Sequence, residues 1–197
     1  MTHYYDENSK LTGKKYVVTE VIDGIPLTLV SSDNVFSKNR IDKGTKILLE
    51  NLVIPQEGKV LDLGCGIGVI GIYIALKNPA IKVVMSDVNP VAIKLAKYNC
   101  TLNKVGDRTL VVKTNLLDSF NENEFDAIIS NPPLAKGSEF IIKMVNDAKN
   151  RLKTNALLEI VVKKGENVVE DTLKKYNYSV NKKIRKQGYT VFIALKN

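Results

Sequence analysis

The chain has one histidine, His3, and two cysteines, Cys65 and Cys100, in 197 residues. So sparse a pair of cysteines builds no disulfide framework, and no CxxC spacing exists for zinc. A lone histidine near the amino terminus leaves almost nothing for a metal centre or a histidine-dependent triad. No metal is therefore expected, and most hydrolase chemistry is excluded. Long apolar runs are missing too. No stretch approaches the roughly 18 to 20 apolar residues that span a bilayer, and residues 1–10 lack the apolar core of a secretory signal. A cytoplasmic protein with no membrane partner is expected. Without internal repeats, linkers or low-complexity tracts, residues 1–197 are expected to form a single domain.

What is present is ordinary globular material, 44% hydrophobic and 25% charged, enough at this length to bury a sizeable core. The net charge is +8, with most of the excess in the second half. A basic protein attracts polyanions through counterion release, which makes nucleic acid a candidate partner. Surface lysines that only confer solubility explain the charge equally well.

Residues 16–22 and 25–30 are rich in β-branched side chains, and Asp23-Gly24 between them is a hairpin signal. Ile47, Leu48, Leu49 and Leu52 form a helical stripe over residues 42–53, ended by Pro55 and Gly58. Strands then alternate with helices. Strand 59–63 leads to a helix at 68–77. Strand 81–86 leads to a helix opened by Asn89 as N-cap and Pro90 in the first turn, with Ala92, Leu95, Ala96 and Cys100 inside. Strands 109–113 and 125–130 follow. Ser138 can cap a helix whose inner face is Ile141, Val145, Ala148 and Leu152. Residues 156–162 read as a strand buried on both faces, residues 166–175 as a helix, and 177–184 and 189–195 as strands meeting at Gln187-Gly188. This alternation predicts an α/β fold around a mostly parallel sheet with right-handed crossovers. The first 40 residues form a β-rich extension, and residues 41–197 the core.

In such a sheet ligands bind beyond the carboxyl ends of the strands. Gly64, Gly66 and Gly68, with Cys65 among them, follow strand 59–63 directly. Glycines there permit positive φ and close approach to a ligand, and the helix that follows offers free N–H groups to a carboxylate. The run 66–71 also matches GxGxxG, a weak signal by itself. Asp87 ends the next strand, beside Val88, where an acid would bond ribose hydroxyls. It suits a nicotinamide dinucleotide and S-adenosylmethionine alike. Asp62, two residues before the first glycine, favours the second.

Asn131-Pro132-Pro133-Leu134 follows strand 125–130. Two prolines fix φ and remove two donors, and Asn131 is held extended by the proline after it. The product is a stiff elbow bearing one amide and several carbonyls. Such an elbow suits a conjugated amine, because the Asn131 oxygen and the Pro132 carbonyl can accept its two N–H bonds and aim its lone pair. Positioning of this kind supplies on the order of 7 kcal/mol in favourable cases. Alone, Asn-Pro is a common turn; one strand past a glycine loop and an acid, the catalytic reading is the stronger one.

Asp62-Leu-Gly64-Cys-Gly66-Ile-Gly68 resembles motif I of the S-adenosylmethionine-dependent methyltransferases. With the NPP elbow, Val35-Phe36-Ser37 and Ile41-Asp42-Lys43-Gly44-Thr45, the chain resembles the small-domain methyltransferase family over residues 16–195. The best-known members methylate guanine N2 in ribosomal RNA, and compact archaeal relatives of about this size look most similar. The resemblance implies a Rossmann-like class I methyltransferase fold with a seven-stranded sheet, helices on both faces and an N-terminal hairpin. It implies S-adenosylmethionine as cofactor, ordered by Asp62 and the glycine loop, by Asp87 and Val88, by Asn115 and Leu116, and by Asn131. Phe36, Ser37, Asp42 and Gly44 would line the cleft. Two positions depart from the pattern. Asn115 stands where Asp commonly meets the adenine amine, and Leu134 stands where an aromatic ring commonly stacks the target base, a role Phe36 or Phe140 could take.

These readings make ribosomal RNA the expected partner. Lys136, just past the elbow, is the expected phosphate contact. Lys182, Lys183, Arg185 and Lys186 form a second cluster that a solvated strand edge explains equally well, and Lys143, Lys149 and Lys153 lie along a helix. The competing functions are N-methylation of adenine in RNA or of a protein glutamine, and a noncatalytic module that binds S-adenosylmethionine or RNA.

Overall fold

The computed structural model describes residues 14–35, 38–133 and 137–197. The chain starts in a hairpin of β1 (Lys15–Ile22) and β2 (Ile25–Ser32). Asp23 and Gly24 both take left-handed backbone, φ 49° and 75°, the turn whose twist matches the strands it joins. The hairpin pairs with itself rather than with the main sheet. Val18, Ile22, Leu27 and Leu29 pack into the core. The outer edge of β2 is met by amides of the helix beneath it. Asn99 bonds both backbone groups of Val30, and Asn103 both of Thr28, which satisfies an edge that would otherwise stay open.

The seven-stranded sheet contains β3 (Gly58–Leu63), β4 (Ile81–Asp87), β5 (Thr109–Lys113), β6 (Phe125–Ser130), β7 (Leu152–Val162), β8 (Tyr178–Lys186) and β9 (Tyr189–Lys196). Their spatial order is β5-β4-β3-β6-β7-β9-β8. The first five run parallel, and β9 is antiparallel to both of its neighbours. Helices α1 (Lys43–Leu49), α2 (Val69–Lys77) and α3 (Pro90–Leu102) share one apolar layer with the hairpin. Helices α4 (Gly137–Arg151) and α5 (Glu166–Lys175) share the other. This is the mixed α/β Rossmann-like arrangement expected. The order reverses between β3 and β6, and that switch point opens the crevice of a doubly wound sheet.

Three boundaries differ from expectation. Helix α1 stops at Leu49, well short of Pro55, because Asn51 Nδ2 turns back onto the Ile47 carbonyl at 2.7 Å. Helix α4 begins at Gly137, so Ser138 lies inside it rather than capping it. Strand β7 starts at Leu152, directly after α4, and a register irregularity opposite 125–127 absorbs the added residues. Glu159 interrupts the apolar centre of β7 and is fully buried. Its Oε2 accepts the Val53 N–H at 3.2 Å, and its Oε1 has no hydrogen-bond partner.

Candidate functional site

Register sets the site. Leu63 pairs with Ser86 on one side and with Ser130 on the other, and Asp87 pairs with Lys113. Gly64, Asp87, Thr114 and Asn131 therefore reach the carboxyl edge at one level, on strands about 4.8 Å apart. Ser130 Oγ donates to the Leu63 carbonyl at 2.8 Å and ties the roots of the two loops together. Residues from all four strand ends line one cavity of about 660 Å³, within the range of small-molecule sites.

The glycine loop is built on its neighbours. The N–H groups of Gly64 and Cys65 both donate to the Ser86 carbonyl at 2.8 Å. Gly66 N–H donates to Asp87 Oδ2 at 2.9 Å, and Asn89 N–H to Asp87 Oδ1 at 2.8 Å. Gly64 and Gly66 have φ of 74° and 55°, and a methyl at either would meet nothing within 4 Å. Backbone conformation, not crowding, requires glycine there. Crowding does require it at Gly71, where a methyl would lie 2.4 Å from Met85 Cγ.

S-adenosylmethionine asks for donors to its carboxylate, an acceptor for its ribose and apolar walls for its adenine. The first-turn N–H groups of α2 lie at Val69 and Ile70, which line the cavity, and such groups lack carbonyl partners within their helix. Asp87 supplies the acceptor, and Ile67, Val88, Ala92 and Leu116 supply apolar wall. Asn115 donates its Nδ2 to Asp118 Oδ2 at 3.1 Å, which leaves its oxygen as the spare end. An amide fixed in that sense presents an acceptor, as an aspartate would. These residues fit the group.

Asn131 lies at the opposite wall. Its Nδ2 donates to Asp42 Oδ2 at 3.0 Å and to Thr45 Oγ1 at 2.9 Å. Asp42 is the N-cap of α1 and also accepts the Thr45 N–H at 3.1 Å. Both amide hydrogens of Asn131 are thus used by residues nearly ninety positions earlier. Its oxygen accepts from none of the described residues, and Asn131, Pro132 and Pro133 line the cavity.

Not every expected residue faces that cavity. Asp62 lies beneath the loop, fully buried, with Oδ2 accepting the Gly71 N–H at 2.8 Å and Oδ1 unpartnered. It anchors α2 to β3 instead of touching the space where a ligand would sit. Burial pushes its carboxyl up to about 7, against the lowering effect of that N–H, and the Asp87 carboxylate adds a smaller push. Gly68 is likewise packed, a methyl there lying 3.2 to 3.4 Å from Ile72, Met85 and Ala96. Cys65 lines the cavity, but burial drives its thiol well above its ordinary value, so it stays neutral. Phe140 lines the cavity as well. Phe36, Ser37, Leu134 and Lys136 lie outside the described residues.

The lysine clusters are largely neutralised. Lys183 pairs with Glu166 and Glu170, Arg185 with Glu166, and Lys186 with Glu50. Lys143 pairs with Asp147, Lys153 with Asp126, and Lys149 bonds the Tyr176 carbonyl. Residues the motifs did not indicate take their place at the cleft, Arg40, Lys163 and Tyr189, beside Thr45 of the 41–45 segment. The Tyr189 ring rests on Gly44, where a methyl would come within 2.7 Å of it. Burial first, and then the Asp42 carboxylate, raise the Tyr189 phenol above its ordinary value. No linear signal joins Tyr189 to Asn131, because β9 reaches the site only by inserting between β7 and β8. Among the described residues no group of three or more histidine, cysteine or acidic side chains could hold a metal, and no helix is long and apolar enough to cross a membrane.

The methyltransferase small domain family matches residues 26–193. The ribosomal RNA small subunit methyltransferase C of Mannheimia succiniciproducens is 39% identical over 139 residues, which is 68% of this chain and 41% of that protein. The chain spans 31% to 49% of the length of such curated relatives. The uncharacterized protein YbxB of Bacillus subtilis is 27% identical over 98% of both chains, so a compact relative of matching length is bacterial. The structure of a Thermus thermophilus 16S rRNA N2 G1207 methyltransferase, in complex with AdoMet and guanosine, shares the fold. Its TM-score is 0.80 at 23% identity, over 98% of this chain and 53% of that one.

Proposed function

The chain belongs to the methyltransferase small domain family, which is S-adenosylmethionine-dependent, and we propose that it methylates the exocyclic N2 of a guanine in ribosomal RNA. The observation that carries this reading is the clamp on Asn131. With both amide hydrogens held by Asp42 and Thr45, the side chain can offer an incoming amine only its oxygen. An amine conjugated to a base is a poor nucleophile. Accepting one N–H at Asn131 Oδ1 and the other at the Pro132 carbonyl sets the plane of the NH2 group and points its lone pair across the cavity. S-adenosylmethionine, when bound, supplies an electrophilic methyl group on a cationic sulfur.

In this assignment Gly64, Cys65, Gly66, Asp87, Val88, Asn115 and Leu116 hold the cofactor, and Asp62 and Gly68 support them from beneath. The buried apolar walls exclude water, which strengthens every polar contact inside. No residue need act as a strong base before attack, since the amine proton can leave later, by way of the cavity mouth, once its nitrogen carries the methyl group. The hairpin and residues 41–197 would work as one unit.

The experiment is transfer of labelled methyl to ribosomal RNA by the purified protein, with mass analysis of the modified nucleoside. The expected product is N2-methylguanosine. Asn131→Ala should lower kcat/KM by roughly 100- to 1,000-fold while S-adenosylmethionine still binds. Undiminished transfer by that variant removes the mechanism. Methyladenosine, methylated glutamine, or cofactor binding without turnover would move the assignment to a competing function.

A further inference from the structure

A second hollow of about 860 Å³ adjoins the cavity. Arg40, Ile41, Asp42 and Tyr189 border both. The second hollow runs along the start of α1 toward the β8–β9 turn. Its wall holds Lys38, Arg40, Lys43, Lys46 and Lys186 against only Asp42 and Glu50. Asp42 is already engaged by Thr45 and Asn131. Lys38 and Lys186 reach Asp33 and Glu50, in pairs exposed enough to exchange for another anion at little cost, while Lys46 is held by Glu20 in a half-buried pair. Arg40 and Lys43 are exposed and have no carboxylate partner among the described residues. Arg40 and Lys43 thus border this hollow as cations without a carboxylate, next to Lys163 on the wall of the main cavity.

We propose that this hollow is the track for the single-stranded RNA flanking the target base, with Arg40 and Lys43 on its phosphates. The proposal rests on the RNA reading above. A base seated against Asn131 must leave its strand by the cavity mouth, and the basic wall starts there. Tyr189 stands at the joint with its ring braced on Gly44 and the Lys163 ammonium 5.8 Å from its centroid, so a further cation stands where the two hollows meet. A polyphosphate strand matches the continuous positive wall, while a small anion would need only one of its cations.

The test measures affinity for a single-stranded ribosomal RNA oligonucleotide over a range of KCl concentrations, without turnover. Arg40→Ala/Lys43→Ala should weaken binding about tenfold or more at low salt. It should also flatten the salt dependence by about 1.4 in log-log slope, near 0.7 for each single-strand phosphate that is no longer neutralised. Lys182→Ala, an exposed cation of β8 outside the hollow, should change neither. Calorimetry with S-adenosylmethionine verifies that each variant is folded. If the double variant binds RNA with wild-type affinity and slope while the wild type methylates RNA, the track is wrong and the function stands. If the wild type binds S-adenosylmethionine but no RNA, both fall. If polyglutamate competes as well as RNA of equal charge, the hollow belongs to an acidic protein segment and the proposal is overturned.

Discussion

An asparagine side chain has a donor end and an acceptor end, and a site that needs the acceptor must occupy the donor. At Asn131 two oxygens do so, Asp42 Oδ2 and Thr45 Oγ1. The carboxylate matters because it can only accept. Asp42→Asn tests this, since asparagine caps a helix about as well as aspartate but presents an NH2 that lets Asn131 turn over. That variant should unfold at nearly the wild-type temperature and bind S-adenosylmethionine normally. Its kcat should fall about 10- to 100-fold, the worth of one charge-assisted hydrogen bond, with little change in KM for RNA. Equal kcat in the two proteins would show that the clamp does not orient the amide.

At the scale of elements, α2 is held to the sheet at its first turn by two devices. Asp62 takes the Gly71 N–H, and Gly71 lacks the side chain that would strike Met85. Met85 is itself fully buried on β4, so it has little room to retreat. Gly71→Ala should cost about 1–3 kcal/mol through overpacking and lower the thermal midpoint by roughly 2 to 10 °C. The loss should be visible by calorimetry with or without cofactor. A midpoint equal to wild type would mean that α2 slides freely on β4. Helix α1 shows the same economy in reverse. It is only seven residues long, yet its N-cap reaches the elbow after β6, so a short helix joins the amino-terminal part of the chain to the chemistry.

At the scale of the molecule, two carboxyl groups among the described residues are buried without full satisfaction, and both are shifted upward. Desolvation raises Asp62 to about 7 and Glu159 to about 8. Between about pH 4 and those values the native protein holds protons that the unfolded chain has released, so raising the pH favours unfolding. Stability should therefore fall from about pH 4 to about pH 8, by on the order of a few kcal/mol. Thermal melts at about pH 5.5 and about pH 8.5 should differ accordingly, and Glu159→Gln should flatten the upper part of that decline. Melts that coincide at the two pH values would show that neither group is desolvated as placed. The gathering of these residues along the strand ends was readable in advance because it depends on local order. Gly64 to Gly68, Asn115 and Asn131 follow strands whose composition announces them, Asp87 ends another, and parallel pairing brings such ends to one level. The orientation of Asn131, the retreat of Asp62 beneath the loop, the neutralised lysines of β8 and the arrival of Tyr189 depend on contacts between residues far apart in the chain. Periodicity and motif carry no information on such contacts, so the linear order determined which edge of the sheet carries the candidate site. Packing alone decided which side chains turn toward it, because a polar group's direction is set by the partner it finds in space.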